Sequence, residues 1–161
     1  MQAIQNAAFA YVYGLEVGAE LRLLDELKFI SQLSITEGKE ELDNGDKAPM
    51  RHAAPFFANA HLVWEKDKLK VDLFAEYNEE LSYDELAHSE QDKDYMYAVD
   101  ADGKPYSPEW YTLNCSVQYR ISKALMATAA LENITDQRYR PYSSGIAAPG
   151  RNFIVALNYQ F

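Results

Sequence analysis

At 161 residues and a formal net charge of −10, the chain has room for one domain of ordinary size and lacks the basic surface that nucleic-acid binding requires. No run approaches the roughly 18 apolar residues of a transmembrane helix, and a single cysteine, Cys115, excludes an intrachain disulfide. The 12 Tyr, 7 Phe and 2 Trp favour strands, and they are also the residues of membrane–water interfaces.

The opening Met1-Gln2-Ala3-Ile4-Gln5-Asn6 has neither a basic n-region nor an apolar h-region, so no secretory signal is expected in it. From residue 7 to residue 23 every odd position is apolar, including Phe9, Tyr11, Tyr13, Leu15, Val17, Leu21 and Leu23. Glu16, Glu20 and Arg22 all fall on the even face. A period of two over this length predicts a long strand with one apolar and one polar side. It is also longer than the roughly 9–11 residues a tilted strand needs to cross a bilayer.

A turn at 24–26 precedes a second predicted strand, 27–37, with Leu27, Phe29, Leu33 and Ile35 opposite Lys28, Gln32 and Thr36. Residues 38–55 carry Gly, Asn, Asp and two Pro without periodicity and read as a long loop. The third strand, 56–66, sets Phe56, Ala58, Ala60, Leu62 and Trp64 against Asn59, His61 and Glu65. The fourth, 69–78, sets Leu69, Val71, Leu73, Ala75 and Tyr77 against Lys70, Asp72, Glu76 and Asn78. Residues 79–109 form the longest irregular stretch, acidic and punctuated by Gly103, Pro105 and Pro108. Strand five, 111–121, places Tyr111, Leu113, Cys115, Val117, Tyr119 and Ile121 on one side, where the thiol is expected to be buried and inert. Strand six, 125–134, is weaker, and a loop at 135–150 leads into strand seven, 151–161.

In that last strand Phe153, Val155, Leu157, Tyr159 and Phe161 share a face, and the chain stops on an aromatic. Termini of soluble chains fray into water, whereas a barrel strand can end in an aromatic girdle. The connections alternate short and long, the pattern of an all-β, antiparallel up-and-down meander with tight turns at one end and long loops at the other. Seven strands do not close an antiparallel barrel, so part of a larger transmembrane barrel is expected.

Residues 132–153 with the strand behind them resemble the C-terminus of TonB-dependent outer-membrane receptors. The resemblance rests on Asn133, Asp136 and Tyr139 in an N-x-x-D-x-x-Y element, on Gly150-Arg151, and on the terminal Phe161. Tyr13-Gly14-x-Glu16 is similar to a recurrent strand element of the same family. The resemblance implies a barrel of about 22 strands, plugged by an N-terminal domain, in the outer membrane. Such receptors import scarce solutes of the ferric siderophore, haem or cobalamin class with energy from the TonB system. On this reading the 161 residues are the C-terminal barrel segment, without the plug, and contact with TonB falls to the missing N-terminal region. The resemblance further implies that the terminal strand, Phe153 to Phe161, is the signal read by the barrel-assembly machinery through β-augmentation. Outer-membrane lipid and lipopolysaccharide are the implied surroundings. The alternative is a self-contained small barrel or a soluble all-β binding module.

The remaining constellations carry weaker chemistry. Between Glu79 and Asp102, Glu79, Glu80, Asp84, Glu85, Glu90, Asp92, Asp94, Asp100 and Asp102 accompany one Lys93, yet their spacing fits no calcium-loop template. His52, His61 and His88 lack a second ligand at metal-site spacing, so no metal or cofactor is expected. His88, Tyr139, Arg140 and Tyr142 are the candidates for touching a transported ligand, with Arg151 nearby for an anionic group. Nothing resembles a triad, a phosphate loop or paired catalytic carboxylates, and no enzyme is expected.

Overall fold

The computed structural model describes residues 9–42 and 44–161. Met1 to Ala8, including the start of the first predicted strand, lie outside the described residues, as does Asp43. The long strands are β1 (Ala10–Leu24), β2 (Leu27–Glu41), β4 (Phe57–Lys66), β5 (Leu69–Asn78), β8 (Trp110–Arg120), β9 (Leu125–Glu132) and β10 (Asn152–Tyr159). Three short ones, β3 (Lys47–Pro49), β6 (Ala98–Val99) and β7 (Pro105–Tyr106), lie within the loops.

The seven long strands pair antiparallel in the order β1-β2-β4-β5-β8-β9-β10, β3 pairs with β2, and β6 with β7 forms a separate ribbon. This is the meander that the alternation predicts. β1 and β10 each have one neighbour and form the two open edges of the sheet. Boundaries differ from the sequence reading chiefly in β2, which continues to Glu41. There Lys39 and Glu40 still pair with Tyr11 and Ala10, although their side chains no longer alternate in polarity. Two stretches read as irregular are thus partly ordered.

Register places the apolar side chains of neighbouring strands side by side. Leu62, Leu73 and Cys115 face one another across β4, β5 and β8, and Ala129 lies between Val117 and Val155 across β8, β9 and β10. Aromatics bound this face at both ends. Tyr13, Tyr77, Tyr111 and Phe153 stand at the end with the long loops, and Trp64, Tyr119 and Tyr159 at the end with the tight turns. Tyr111 and Tyr119 are eight residues apart on β8, about 27 Å of strand. At a tilt of about 40° this is roughly 20 Å of height, near the 25 Å apolar band of an outer-membrane barrel.

The apolar face is uncovered: Leu15 is 58% exposed, Leu157 68% and Phe153 69%. Cys115 belongs to it and is only half-buried, which corrects the expectation of a buried thiol. It lies in the row between Leu73 and Leu131, where among the described residues no other strand is stacked over the sheet. The opposite face is polar, with Glu20 paired to Lys28 at 3.2 Å and His61 to Asp72 at 3.1 Å, and the His61 ring stacks on Phe74. Most buried side chains among the described residues cluster at the loop end, among them Leu86, Ala87 and Tyr97.

Candidate functional site

All three long connections, 42–56, 79–109 and 133–151, emerge at the same end of the sheet, because each follows a pair of strands joined by a tight turn at the other end. This loop end gathers most of the residues singled out in the sequence.

The N-x-x-D-x-x-Y element is a compact clamp between β9 and β10. Asn133, 4% exposed, adopts φ 48°, and Asp136 adopts φ 56°. These are left-handed conformations that Asn and Asp tolerate better than other side chains with a Cβ. The Asn133 carboxamide accepts from the Gln137 N–H at 2.9 Å and donates to the carbonyls of Gln137 (2.8 Å) and Pro149 (3.3 Å). Its own N–H donates to the Asn114 side chain on β8 at 2.8 Å. Asp136 Oδ1 accepts from the Arg151 N–H at 2.8 Å. That carboxylate oxygen sits 2.8 Å from where a Cβ on Gly150 would be, so any larger residue displaces it. Tyr139 stacks on Trp110 at 4.3 Å, and the Arg151 guanidinium donates to the Ile134 carbonyl. The five motif residues therefore meet in one structural unit that fixes how the chain enters β10.

Of the proposed ligand-contacting residues, Tyr139 and Arg140 line a cleft of about 280 Å³ together with Arg138, Met96, Tyr97 and Pro141. Arg140 is partly engaged, donating from Nη1 to the carbonyls of Tyr95 (2.9 Å) and Met96 (3.3 Å). Burial pushes the Tyr139 hydroxyl above its usual pKa, and Glu76 and Glu132 add to the effect, so it stays a neutral phenol. His88 is exposed, and no hydrogen bond joins it to this group among the described residues. Tyr142 points elsewhere, into a second cluster that the sequence reading did not find.

That cluster is built on Glu90, which is fully buried. Its carboxylate accepts from the Tyr142 hydroxyl at 2.9 Å and from the Ser143 hydroxyl at 3.0 Å, and Arg51 Nε approaches at 3.5 Å. Burial alone pushes the Glu90 pKa up. The hydrogen bonds from Tyr142 and Ser143, with the nearby Tyr97 hydroxyl and the Arg51 charge, outweigh it and hold the group below its usual range. The same burial and the Glu90 charge push the Tyr97 and Tyr142 phenols well up. In the sequence Glu90 is one of ten acidic residues in loop 79–109, and only the fold distinguishes it. Among the described residues no three His, Cys, Asp or Glu side chains come together as a metal site.

The terminal-strand residues Phe153, Val155, Leu157 and Tyr159 line the uncovered face of β10, with Phe161 just beyond it, on a strand whose outer edge is open.

No protein-family model and no curated protein sequence matches the chain. Solved structures do. The copper transporter OprC aligns with 94% of this chain and 23% of its own at a TM-score of 0.76 and 17% identity. The FrpB iron transporter from Neisseria meningitidis aligns over 97% and 24% at 0.72 and 15% identity. The ferric enterobactin receptor PfeA from Pseudomonas aeruginosa aligns over 94% and 22% at 0.67 and 22% identity. The chain spans about a quarter of the length of the structures it matches. Its strand meander thus has the fold of part of a TonB-dependent receptor barrel.

Proposed function

We propose that these 161 residues are the C-terminal barrel segment of a TonB-dependent receptor in the outer membrane, a transport protein and not an enzyme. One observation carries the reading: an uncovered apolar face, bounded at both ends by aromatics, on a meander with the fold of such receptors. A soluble protein that exposed this face would aggregate, whereas against lipid tails the same face is solvated. The open edges of β1 and β10 then pair with further strands of the same barrel.

On this reading the polar face looks into the lumen, and the loop end, with its Arg138–Arg140 cleft, faces the exterior where solute is captured. Solved structures of this fold include transporters named for copper and iron and a receptor named for ferric enterobactin. They support a scarce, metal-bearing solute, of which ferric siderophore, haem and cobalamin are the expected classes. TonB contact belongs to a region outside this chain. Lipopolysaccharide around the loop-end aromatics, and the assembly machinery at β10, complete the proposed partners.

The test uses the intact polypeptide that carries this sequence, in its membrane, with Cys115 replaced by Ser. Single cysteines at Leu73 and at Gln32 are probed with a membrane-impermeant thiol reagent. Lipid-facing Leu73→Cys stays unlabelled until detergent is added, while Gln32→Cys on the polar face labels from the lumen. Equal labelling of both without detergent overturns the membrane reading and leaves the soluble module.

A further inference from the structure

Glu90 does more than satisfy its own loop. Its backbone is set by a local turn, with its N–H on the Ala87 carbonyl at 2.8 Å and its carbonyl receiving the Lys93 N–H at 3.1 Å. Leu86 and Ala87 beside it are fully buried, and Gln91 donates to the carbonyls of Tyr83 and Leu86, so loop 79–109 holds its own shape around this residue. The carboxylate, however, is aimed out of that loop. One oxygen takes the Tyr142 hydroxyl, and the other takes Ser143 and faces Arg51. Tyr142 and Ser143 belong to loop 133–151, and Arg51 to loop 42–56. The Ser143 hydroxyl also meets His52 Nδ1 at 3.3 Å. Having one proton, it gives this to Glu90 and accepts from the imidazole.

Two features show that the junction is over-determined. His52 and Ser143 both hold left-handed backbones, φ 65° and 57°, which cost energy in residues with a Cβ and persist where surrounding contacts enforce them. A carboxylate with no solvent contact is costly unless it is fully paired, and here its partners come from both neighbouring loops. Arg140 supplies a second tie between loops 79–109 and 133–151. Side-chain ties from loop 42–56 to the other two loops run only through Arg51–Glu90 and His52–Ser143 among the described residues.

We propose that Glu90 is a latch: one buried carboxylate that couples three loops into a single body, so that a displacement of loop 133–151 reaches loop 42–56 through its pair with Arg51 and through the Ser143–His52 contact that it orients. This inference stands on the loop contacts and does not depend on the transport assignment.

The test is hydrogen exchange of the intact polypeptide, read by mass spectrometry on peptides covering residues 50–54, 86–98 and 139–145. Charged hydrogen bonds are being lost, so Glu90→Ala is expected to speed exchange tenfold or more in all three segments together. Glu90→Gln, which keeps the volume without the charge, gives the same pattern at smaller amplitude, and amides of β5 and β8 report that the sheet is intact. Ser143→Ala, a change in one loop, is expected to speed exchange at 50–54 in the native background and to add less there when Glu90 is already Ala, because the hydroxyl that meets His52 is then no longer oriented by the carboxylate. Faster exchange confined to 86–98, or additive effects of Ser143→Ala and Glu90→Ala at 50–54, overturns the latch.

Discussion

Leu73→Arg separates a lipid-facing sheet from a water-facing one by the sign and size of a single effect. Leu73 lies in the middle of β5, between Leu62 and Cys115 on the neighbouring strands and between Val71 and Ala75 on its own, and it is 49% exposed. On a soluble protein an exposed Leu→Arg change shifts stability by about 0.5 kcal/mol or less in either direction. At the midplane of a bilayer the same arginine costs about 2–4 kcal/mol, because its charge leaves water and finds no partner in the hydrocarbon. With a urea m-value of about 2 kcal/mol/M, the unfolding midpoint falls by about 1–2 M. The assay is urea unfolding of the intact polypeptide in lipid vesicles, scored by the mobility difference between folded and unfolded barrel on a gel. Gln32→Arg, exposed on the polar face, is the control and is expected within about 0.5 kcal/mol of the parent. A Leu73→Arg midpoint equal to that of Gln32→Arg would refute the assignment of the apolar face to lipid.

The clamp at the β9–β10 connection yields a pair of graded predictions. Asn133→Ala loses three hydrogen bonds and leaves an alanine at φ 48°, a loss of about 2–4 kcal/mol by unfolding midpoint. Asn133→Gly loses the same bonds without the backbone strain and should be milder by about 1 kcal/mol; equal midpoints for the two would remove the conformational part of the argument. Gly150→Ala places a Cβ 2.8 Å from Asp136 Oδ1 and is expected to lower the midpoint as well, whereas an unchanged value means the carboxylate moves aside freely. Phe161→Ser is expected to reduce the amount of protein reaching the outer membrane, measured by immunoblot of membrane fractions, and undiminished levels count against an assembly role. For pH, Glu90 has a folded pKa held below its usual 4.5, so its contribution is complete above that value and is lost as pH falls through the folded pKa. Exchange protection of the three loops should therefore be flat from pH 8 to about 5 and drop only in stronger acid; a drop already near neutrality contradicts the sign.

The strands were legible because a sheet with different solvents on its two faces writes a period of two into the chain. Residues 69–78 alternate at every position but Phe74, and β5 spans the same residues. The reading failed where that contrast ends. Beyond Glu37 both faces of β2 are polar, so the alternation vanishes while the backbone pairing to Tyr11 and Ala10 continues. Cys115 was misjudged because alternation identifies a face but not whether protein covers it. The motif residues were found by resemblance, and only the fold explains their types: two left-handed turns for Asn133 and Asp136, and a carboxylate pressed against Gly150. The loop cluster had no signal at all. Arg51, Glu90 and Ser143 are far apart in the chain, and no local spacing distinguishes a buried Glu90 from its solvated neighbours.

The central claim is that the 161 residues work as part of a larger barrel, and the size of the native polypeptide tests it most directly. An antibody against β10 is used to probe the isolated outer-membrane fraction of cells that make the protein. The account predicts a band several times heavier than the 18.4 kDa of this chain, with a mobility that changes on boiling. A band near 18.4 kDa in that fraction, or one found only in the soluble fraction, contradicts it.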